Sequence, residues 1–175
     1  MGPPSVDDQA AKIQLRAAMR SVRRSIAADP EVRARRSDVI NDRLIAAISK
    51  RTSDHHRVRR LMAYEPLPGE PDLHRLVAWA SSEGVDVFVP AVDGPDLRVE
   101  PGGVDPKTLD VVVVPGLAFT VDGHRLGQGG GHFDRFLPRL SRSCLKAGVA
   151  FREQLVDVVP TEPHDVVLDV VITDA

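Results

Sequence analysis

DVVVVPGLAFTVDGHRLGQGGGHFDRFLPRL, residues 110 to 140, decides how the rest of the chain is read. It opens on an unbroken valine run, as in a strand covered on both faces. Its close, HFDRFLPRL, reads as a helix, and between the two stand Gly127, Gly129, Gly130 and Gly131, ahead of Asp134 and Arg135. Glycine loses the most backbone freedom on folding, so such a cluster calls for a compensating purpose. Glycines between a strand and a helix let backbone N–H groups curl around an anion, and the helix N-terminus adds partial positive charge. Arg125 and Arg135 bracket the turn and suit charge-assisted contacts to phosphate oxygens. Asp134, in the first helical turn, is placed to hold Mg2+, which takes one or two carboxylates plus phosphate oxygens and water. As an exposed first-turn carboxylate it is expected to be removable without loss of fold. The loop is not a Walker A sequence, since GK[ST] is missing. Nor is it a dinucleotide-binding fingerprint, since it starts about a dozen residues after its strand and has His132 at the sixth position. A flexible surface turn is the bland alternative. The flanking charges favour an anionic ligand, phosphate with a metal.

Outward from this stretch the same alternation recurs. RRLMAY (59–64), VDVFVP (85–90), AGVAF (147–151) and LDVVIT (168–173) are further short, β-rich runs. PDLHRLVAWASSEG (71–84) reads as a helix ending at Gly84. Strand, helix and strand in succession predict an α/β fold, a mostly parallel central sheet with helices on both faces, three-layered and Rossmann-like. In such sheets ligands bind beyond the carboxyl ends of the strands, where the glycine loop is expected. The N-terminal part, residues 5–50, reads as a helical pair packed on this core. Ser5 opens the first helix with Asp8 in an approximate capping box, and Asp29-Pro30 caps the second. Leu15, Met19, Val22 and Ile26 fall within about 60° on a helical wheel, one apolar stripe. Val39, Ile40, Leu44 and Ile48 mark the second helix.

The 175 residues suit a single domain, 1–175, able to bury roughly 70% of its unfolded surface without a disulfide or metal staple. Cys144 is the only cysteine, which suits a reducing cytoplasm. There is no apolar run of about 18 residues and no signal-peptide pattern, so a cytoplasmic protein without a membrane partner is expected. The net charge of −2 argues against bulk nucleic-acid binding. Lys12, Arg16, Arg20 and Arg23 fall within about 80° of one another on the first helix. That row is either a solvated basic face or a second clamp on a polyphosphate, and no aromatics interleave it to stack on bases. Glu70, in the Pro/Gly loop MAYEPLPGEPDL (62–73), reads on spacing alone as a solvated acid. His132 is an acid/base candidate or a helix-start residue. The other histidines show no metal spacing, and His55-His56 sits in a polar linker.

Three motifs in order resemble the 5-formyltetrahydrofolate cyclo-ligase (5,10-methenyltetrahydrofolate synthetase) family. PGLAFTVDGHRLGQGGGHFDRFL (115–137) is similar to its PGLAFD-x-x-G-x-RLG-x-G-x-G-YYDR-x-L signature. KIQLRAAMRSVRRSI (12–26) resembles its N-terminal K-x-x-LR segment, and GVAFREQLVDVVPTEPHDVVLDVVIT (148–173) its closing G-x-A-[FY] … Q … PxExHD … D-x-[VI]-x-T pattern. The resemblance implies ATP- and Mg2+-dependent conversion of 5-formyltetrahydrofolate to 5,10-methenyltetrahydrofolate, with phosphorylation of the formyl oxygen and then ring closure by N10. It implies ATP against Lys12, Ile13, Gln14, Leu15 and Arg16, and against the loop Arg125, Leu126, Gly127, Gln128, Gly129, Gly130, Gly131, His132 and Phe133. Lys12, Arg125 and Arg135 would carry catalysis. Mg2+ would fall on Asp134 and Asp169, and folate on Glu70 and the backbone near Ala63, with His132 and Phe133 in the same pocket. Small-molecule substrates and a monomer are expected. His132-Phe133 stands where the family usually has Tyr-Tyr, Gln128 where Tyr is usual and Thr120 where Asp is common. The first change motivates an alternative, a nucleotide-binding paralogue without folate turnover.

Overall fold

The computed structural model describes residues 6–53, 57–162 and 165–175. The expected Ser5 cap and His55-His56 lie outside these residues. In chain order the elements are α1 (Val6–Ala27), α2 (Pro30–Ser53), β1 (Arg60–Met62), α3 (His74–Ser82), β2 (Asp86–Asp93), β3 (Asp96–Glu100), β4 (Val111–Val114), β5 (Ala118–Phe119), β6 (Arg125–Leu126), α4 (His132–Phe136), β7 (Leu145–Val149) and β8 (Val170–Ile172). Six of the strands form one sheet in the order β3-β2-β1-β4-β7-β8, and β5 and β6 form a separate hairpin. β2, β1, β4, β7 and β8 are mutually parallel, and only β3 pairs antiparallel, on the edge. The α/β sheet is therefore mostly parallel, as expected.

The alternating faces of the strands define two cores. Leu61, Ala63, Val111, Val113, Ala147 and Val149 face Ile40, Leu44 and Ile48 of α2 and Leu76 and Ala80 of α3. Met62, Val112 and Val114 face the other way, onto Phe119, Phe136 and Leu137. The valines of β4 are 0% exposed, which explains why that strand is apolar at every position. Each such side chain stabilises the fold by about 1.5–3 kcal/mol relative to leaving it in water. Leu15 and Met19 of α1 pack on the β5–β6 hairpin through Ala118 and Leu126, while Ile26 reaches the α2 side. Asp29 caps α2 as expected, with its Oδ1 accepting from the Val32 amide at 3.0 Å.

Two elements differ from the sequence reading. The chain after VDVFVP turns at Gly94 and returns as β3, with Leu97 and Val99 buried and Asp96 and Arg98 exposed. The segment between β4 and the glycine loop is not open loop but the β5–β6 hairpin. Among the described residues no helix is long and apolar enough to cross a membrane.

The strand order places a topological switch between β1 and β4. From β1 the chain runs outward to β2 and β3, then crosses to the other side of β1 to form β4. Loops leaving the carboxyl ends of β1 and β4 therefore diverge and open a crevice between them.

Candidate active site

The crevice holds two hollows that share a wall. The larger, about 500 Å³, lies between the loop after β1, with Tyr64, Leu67 and Glu70, and the end of β4, with Pro115 and Gly116. Pro90, Val92 and Leu97 of the β2–β3 hairpin and Phe133 give it apolar sides. The smaller, about 160 Å³, is lined by charge: Lys12, Arg16 and Arg125 against Asp134, Glu162 and Asp165. Arg125, Gly127, Gly131 and Asp134 line both. A mostly apolar hollow with a few convergent polar groups, opening onto an ionic one, suits an amphipathic ligand beside an anionic one.

The glycine loop needs its glycines. Gly129 and Gly131 have φ of +110° and +66°, where a side chain would be strained. A Cβ on Gly130 would lie 2.8 Å from the His132 ring. The helix it leads into, α4, spans only five residues and continues as a 3-10 turn, Leu137–Arg139. Its dipole is correspondingly smaller than HFDRFLPRL alone implied, so backbone amides and side-chain cations must carry most of any anion binding.

Two of the cations in the smaller hollow, Lys12 and Arg16, arrive from α1, and the third, Arg125, from β6. Arg16 Nε donates to the Gly127 carbonyl and Arg20 Nη2 to the Gln128 carbonyl, each at 3.2 Å. Lys12 Nζ pairs with Glu162 at 2.7 Å and lies 3.9 Å from Asp165. Arg125, its side chain 5% exposed, pairs with Asp134 and donates to the Pro115 carbonyl at 3.3 Å. Burial lowers the Arg125 pKa, and Asp134 works against that shift. The smaller hollow thus balances three cations with three carboxylates.

Glu70 is not the solvated acid its spacing indicated. It is 3% exposed; Oε2 accepts from the Leu67 amide at 2.9 Å and Oε1 lies 3.1 Å from Arg23 Nη2. Burial raises its pKa, opposed by the Leu67 amide and Arg23. His132 Nδ1 lies 2.9 Å from the Pro95 carbonyl, which can only accept, so in a neutral ring Nε2 is left as an acceptor. The Arg125 guanidinium sits 5.5 Å from the Phe133 ring centre.

Other expected residues fall elsewhere. Ile13, 65% exposed, and Gln14 line neither hollow, because they lie on another face of α1 from Lys12 and Arg16, while Leu15 packs on the hairpin. Ala63 is packed in the core beneath the cavity, one residue before Tyr64, which does line it. Leu126 borders the smaller hollow. Arg135 turns away from it: its guanidinium donates to the Pro95 and Gly130 carbonyls and lies 3.5 Å from Asp96. Asp169 is not beside Asp134. It stands just before β8, where its Oδ2 accepts from the Lys146 amide at 2.7 Å and pairs with Lys146 Nζ at 2.9 Å.

Three residues at or beneath the crevice had no assigned role in the sequence reading. Glu162 and Asp165 precede β8 and line the ionic hollow; in the sequence their segment, PTEPHD, carries only the family resemblance. Gln154, 1% exposed, donates to the Gly116 and Leu117 carbonyls at 3.1 Å and so fixes the turn out of β4.

Comparison with known proteins identifies the family and the fold. Residues 95–174 match the model of the 5-formyltetrahydrofolate cyclo-ligase family. A 5-formyltetrahydrofolate cyclo-ligase of Mycolicibacterium smegmatis is 30% identical over 142 residues, 66% of this chain and 73% of the relative. One from Mycoplasma pneumoniae is 39% identical over 70 residues, 40% of this chain, and the match spans 42% of that relative's length. The solved structure of a Mycoplasma pneumoniae 5,10-methenyltetrahydrofolate synthetase superposes with a TM-score of 0.83 at 25% identity, over 94% of this chain and 99% of that one. On sequence and fold together, the chain belongs to the 5-formyltetrahydrofolate cyclo-ligase family.

Proposed function

We propose that this protein uses ATP to close 5-formyltetrahydrofolate into 5,10-methenyltetrahydrofolate. The observation that carries this reading is the pair of hollows joined at the glycine loop, one apolar with a buried acid and one ionic. In the reaction the formyl oxygen attacks the γ-phosphorus, the bond to the bridging oxygen breaks and ADP departs. N10 then adds to the activated formyl carbon and loses its proton, and the carbon–oxygen bond breaks to release phosphate. Phosphoryl transfer of this kind needs mainly positioning and charge neutralisation.

The residues divide by hollow. Lys12 and Arg16 exchange Glu162 and the Gly127 carbonyl for phosphate oxygens, and Arg125 exchanges Asp134. Backbone amides of 127–131 supply further donors. On the apolar side Glu70 accepts from the N–H groups of the heterocycle, and Phe133, Pro90 and Val92 close on its ring. Asp134 and Asp165 fit Mg2+: they line one hollow, and among the described residues no set of three or more His, Cys, Asp or Glu forms a self-sufficient metal site. Mg2+ commonly takes one or two carboxylates and completes its shell with phosphate oxygens and water. When bound it would neutralise charge on the β- and γ-phosphates. In this reading Asp165 takes the place expected of Asp169. Because both hollows are lined by one chain, the reading needs only a monomer, acting on small molecules and without nucleic acid or membrane; its expected setting is the cytoplasm.

The test mixes purified protein with (6S)-5-formyltetrahydrofolate and MgATP and follows methenyl absorbance in the near ultraviolet, with ATP-free and EDTA controls. A rise that needs both ATP and metal is expected. ATP binding with a flat trace would favour the paralogue without folate turnover, which the His132-Phe133 pair motivates.

A further inference from the structure

We propose that Arg23 is a positioning residue for Glu70, and that through it α1 ties the loop after β1 to the glycine loop across the cavity. The catalytic part of the test rests on the folate reading above. Three arginines on successive turns of α1 end on the two loops that wall the cavity. Arg16 and Arg20 hold the Gly127 and Gln128 carbonyls on one side. Arg23 Nη2 holds the Pro68 carbonyl at 3.2 Å and the Glu70 carboxylate at 3.1 Å on the other. The helix backbone is fitted to the second loop as well. A Cβ on Gly69, whose φ is +80°, would lie 2.3 Å from the Arg23 carbonyl oxygen.

The pair is costly to keep, which argues that it is retained for a purpose other than stability. The Arg23 and Glu70 side chains are 8% and 4% exposed, and a buried ion pair is often no more stabilising than an apolar replacement. Several other groups face Glu70. Tyr64 comes from the end of β1, Arg33 of α2 donates to the Glu70 backbone carbonyl at 3.2 Å, and Asp72 follows in the same loop. Arg125, His132 and Asp134 stand across the cavity. Among the described residues, Arg23 is the cation within ion-pair distance of the carboxylate itself. Burial pushes the Glu70 carboxyl up, and the Leu67 amide and Arg23 hold it down. Arg23 therefore opposes the effect of burial and favours the carboxylate, the form in which both Glu70 oxygens accept and neither donates towards N–H groups of a heterocycle.

The experiment compares Arg23→Gln, Arg23→Lys, Glu70→Gln and the double variant Arg23→Gln/Glu70→Gln with the wild type. Hydrogen exchange at the Leu67 amide, which bonds to Glu70, reads positioning without substrate. At least tenfold faster exchange is expected in Arg23→Gln, with most of the protection restored in Arg23→Lys. In turnover, Arg23→Gln should raise the folate KM about tenfold, or 1.4 kcal/mol, and leave the ATP KM within about twofold. The folate KM should recover as pH rises and Glu70 ionises, which a purely structural defect would not produce. Added to Glu70→Gln, the Arg23 change should alter the folate KM by less than about twofold, because one acts through the other. The double variant removes both buried charges, so this arm holds even if Arg23→Gln fails to fold. Unchanged Leu67 exchange, or equal rises in both KM values, overturns the proposal. Loss of Leu67 protection in a protein whose wild type does not turn over folate supports the role of Arg23 and refutes only the folate reading.

Discussion

Replacing Asp134 by Asn keeps the shape of the side chain and an oxygen acceptor but removes the carboxylate that pairs with Arg125. The sequence marked Asp134 as an exposed carboxylate that could be lost with the fold intact and little change in stability; its buried partner implies that the fold is kept but at a measurable cost. Its partner Arg125 is 5% exposed, so an unpaired guanidinium would remain where water barely reaches. Stripping one partner from a fully buried pair costs about 3–5 kcal/mol. Asp134 itself is 28% exposed, the Asn oxygen still accepts, and the Pro115 carbonyl still receives Arg125 at 3.3 Å. These features reduce the cost to about 2 kcal/mol. For a domain of this size that lowers Tm by roughly 4–8 °C. Thermal melts followed by circular dichroism, without nucleotide, measure it. In an Arg125→Met background the same change should shift Tm by no more than about 1 °C, since no buried cation is left behind. An Asp134→Asn protein that melts with the wild type would refute the ion pair as an energetic contact, and with it the exchange of partners assigned to phosphate binding.

Three further outcomes follow from the same geometry. Asp165→Asn should raise the Mg2+ concentration needed for half-maximal turnover at least tenfold while Asp169→Asn leaves it within about twofold; a metal titration of both variants decides between the two carboxylates. Lys12→Ala should raise the ATP KM more than the folate KM, measured in steady-state assays, and the opposite ordering would move the start of α1 to the folate side. The last concerns acid stability. Arg36 bridges Asp174 and Glu153 at 2.5 Å, and although burial pushes both carboxyl pKa values up, its hydrogen bonds and charge leave both lowered on balance. A lowered acid pKa contributes stability above the unfolded value of about 4 and loses it as pH falls through the folded one. The Tm gap between wild type and Arg36→Met should therefore be constant near neutrality and narrow as pH is taken from 5 towards 2. A gap independent of pH would show that Arg36 acts through its packing on the Phe151 ring, 4.8 Å from the guanidinium, rather than through charge.

The parts of this fold that could be read from the sequence are those set by local period. Valines buried on both faces made β4 an unbroken apolar run, and the α1 row of cations at 12, 16, 20 and 23 kept its common face in three dimensions, with Arg16, Arg20 and Arg23 on loop carbonyls. β3 was also legible in principle. Asp93-Gly94 is a turn signal, and the Asp96–Glu100 strand after it has Leu97 and Val99 buried and Asp96 and Arg98 exposed. What could not be read is what depends on distant pairing. Nothing near Glu70 in sequence shows that it is buried against Arg23, because the partner sits on another element and arrives only when α1 crosses the end of β1.

The choice between Asp165 and Asp169 shows where a simple topological rule goes further than a motif. Both are acids in one short segment, and resemblance alone assigned the metal to the second. In a parallel sheet, however, the connection between neighbouring strands leaves the carboxyl end of one and must return to the amino end of the next. Ligands gather at the carboxyl ends. β7 and β8 are parallel neighbours, so their connection, residues 150–169, leaves the site only where it descends to the start of β8; residues ahead of that descent can still reach the site, and residues next to β8 have left it. Glu162 and Asp165 fall in the first group and line the ionic hollow with Asp134. Asp169, immediately before β8, falls in the second and pairs with Lys146 near the start of β7. The same rule accounts for Glu70, which follows β1, and for the glycine loop, which follows β4 through the β5–β6 hairpin. A strand assignment with directions thus sets apart the residues that directly precede a strand, at its amino end, from those free to reach the carboxyl-end crevice. Asp169 is thereby set on the amino-end side, where it holds two strand ends together, while Asp165 lines the ionic hollow beside Asp134, the position the proposed metal role requires.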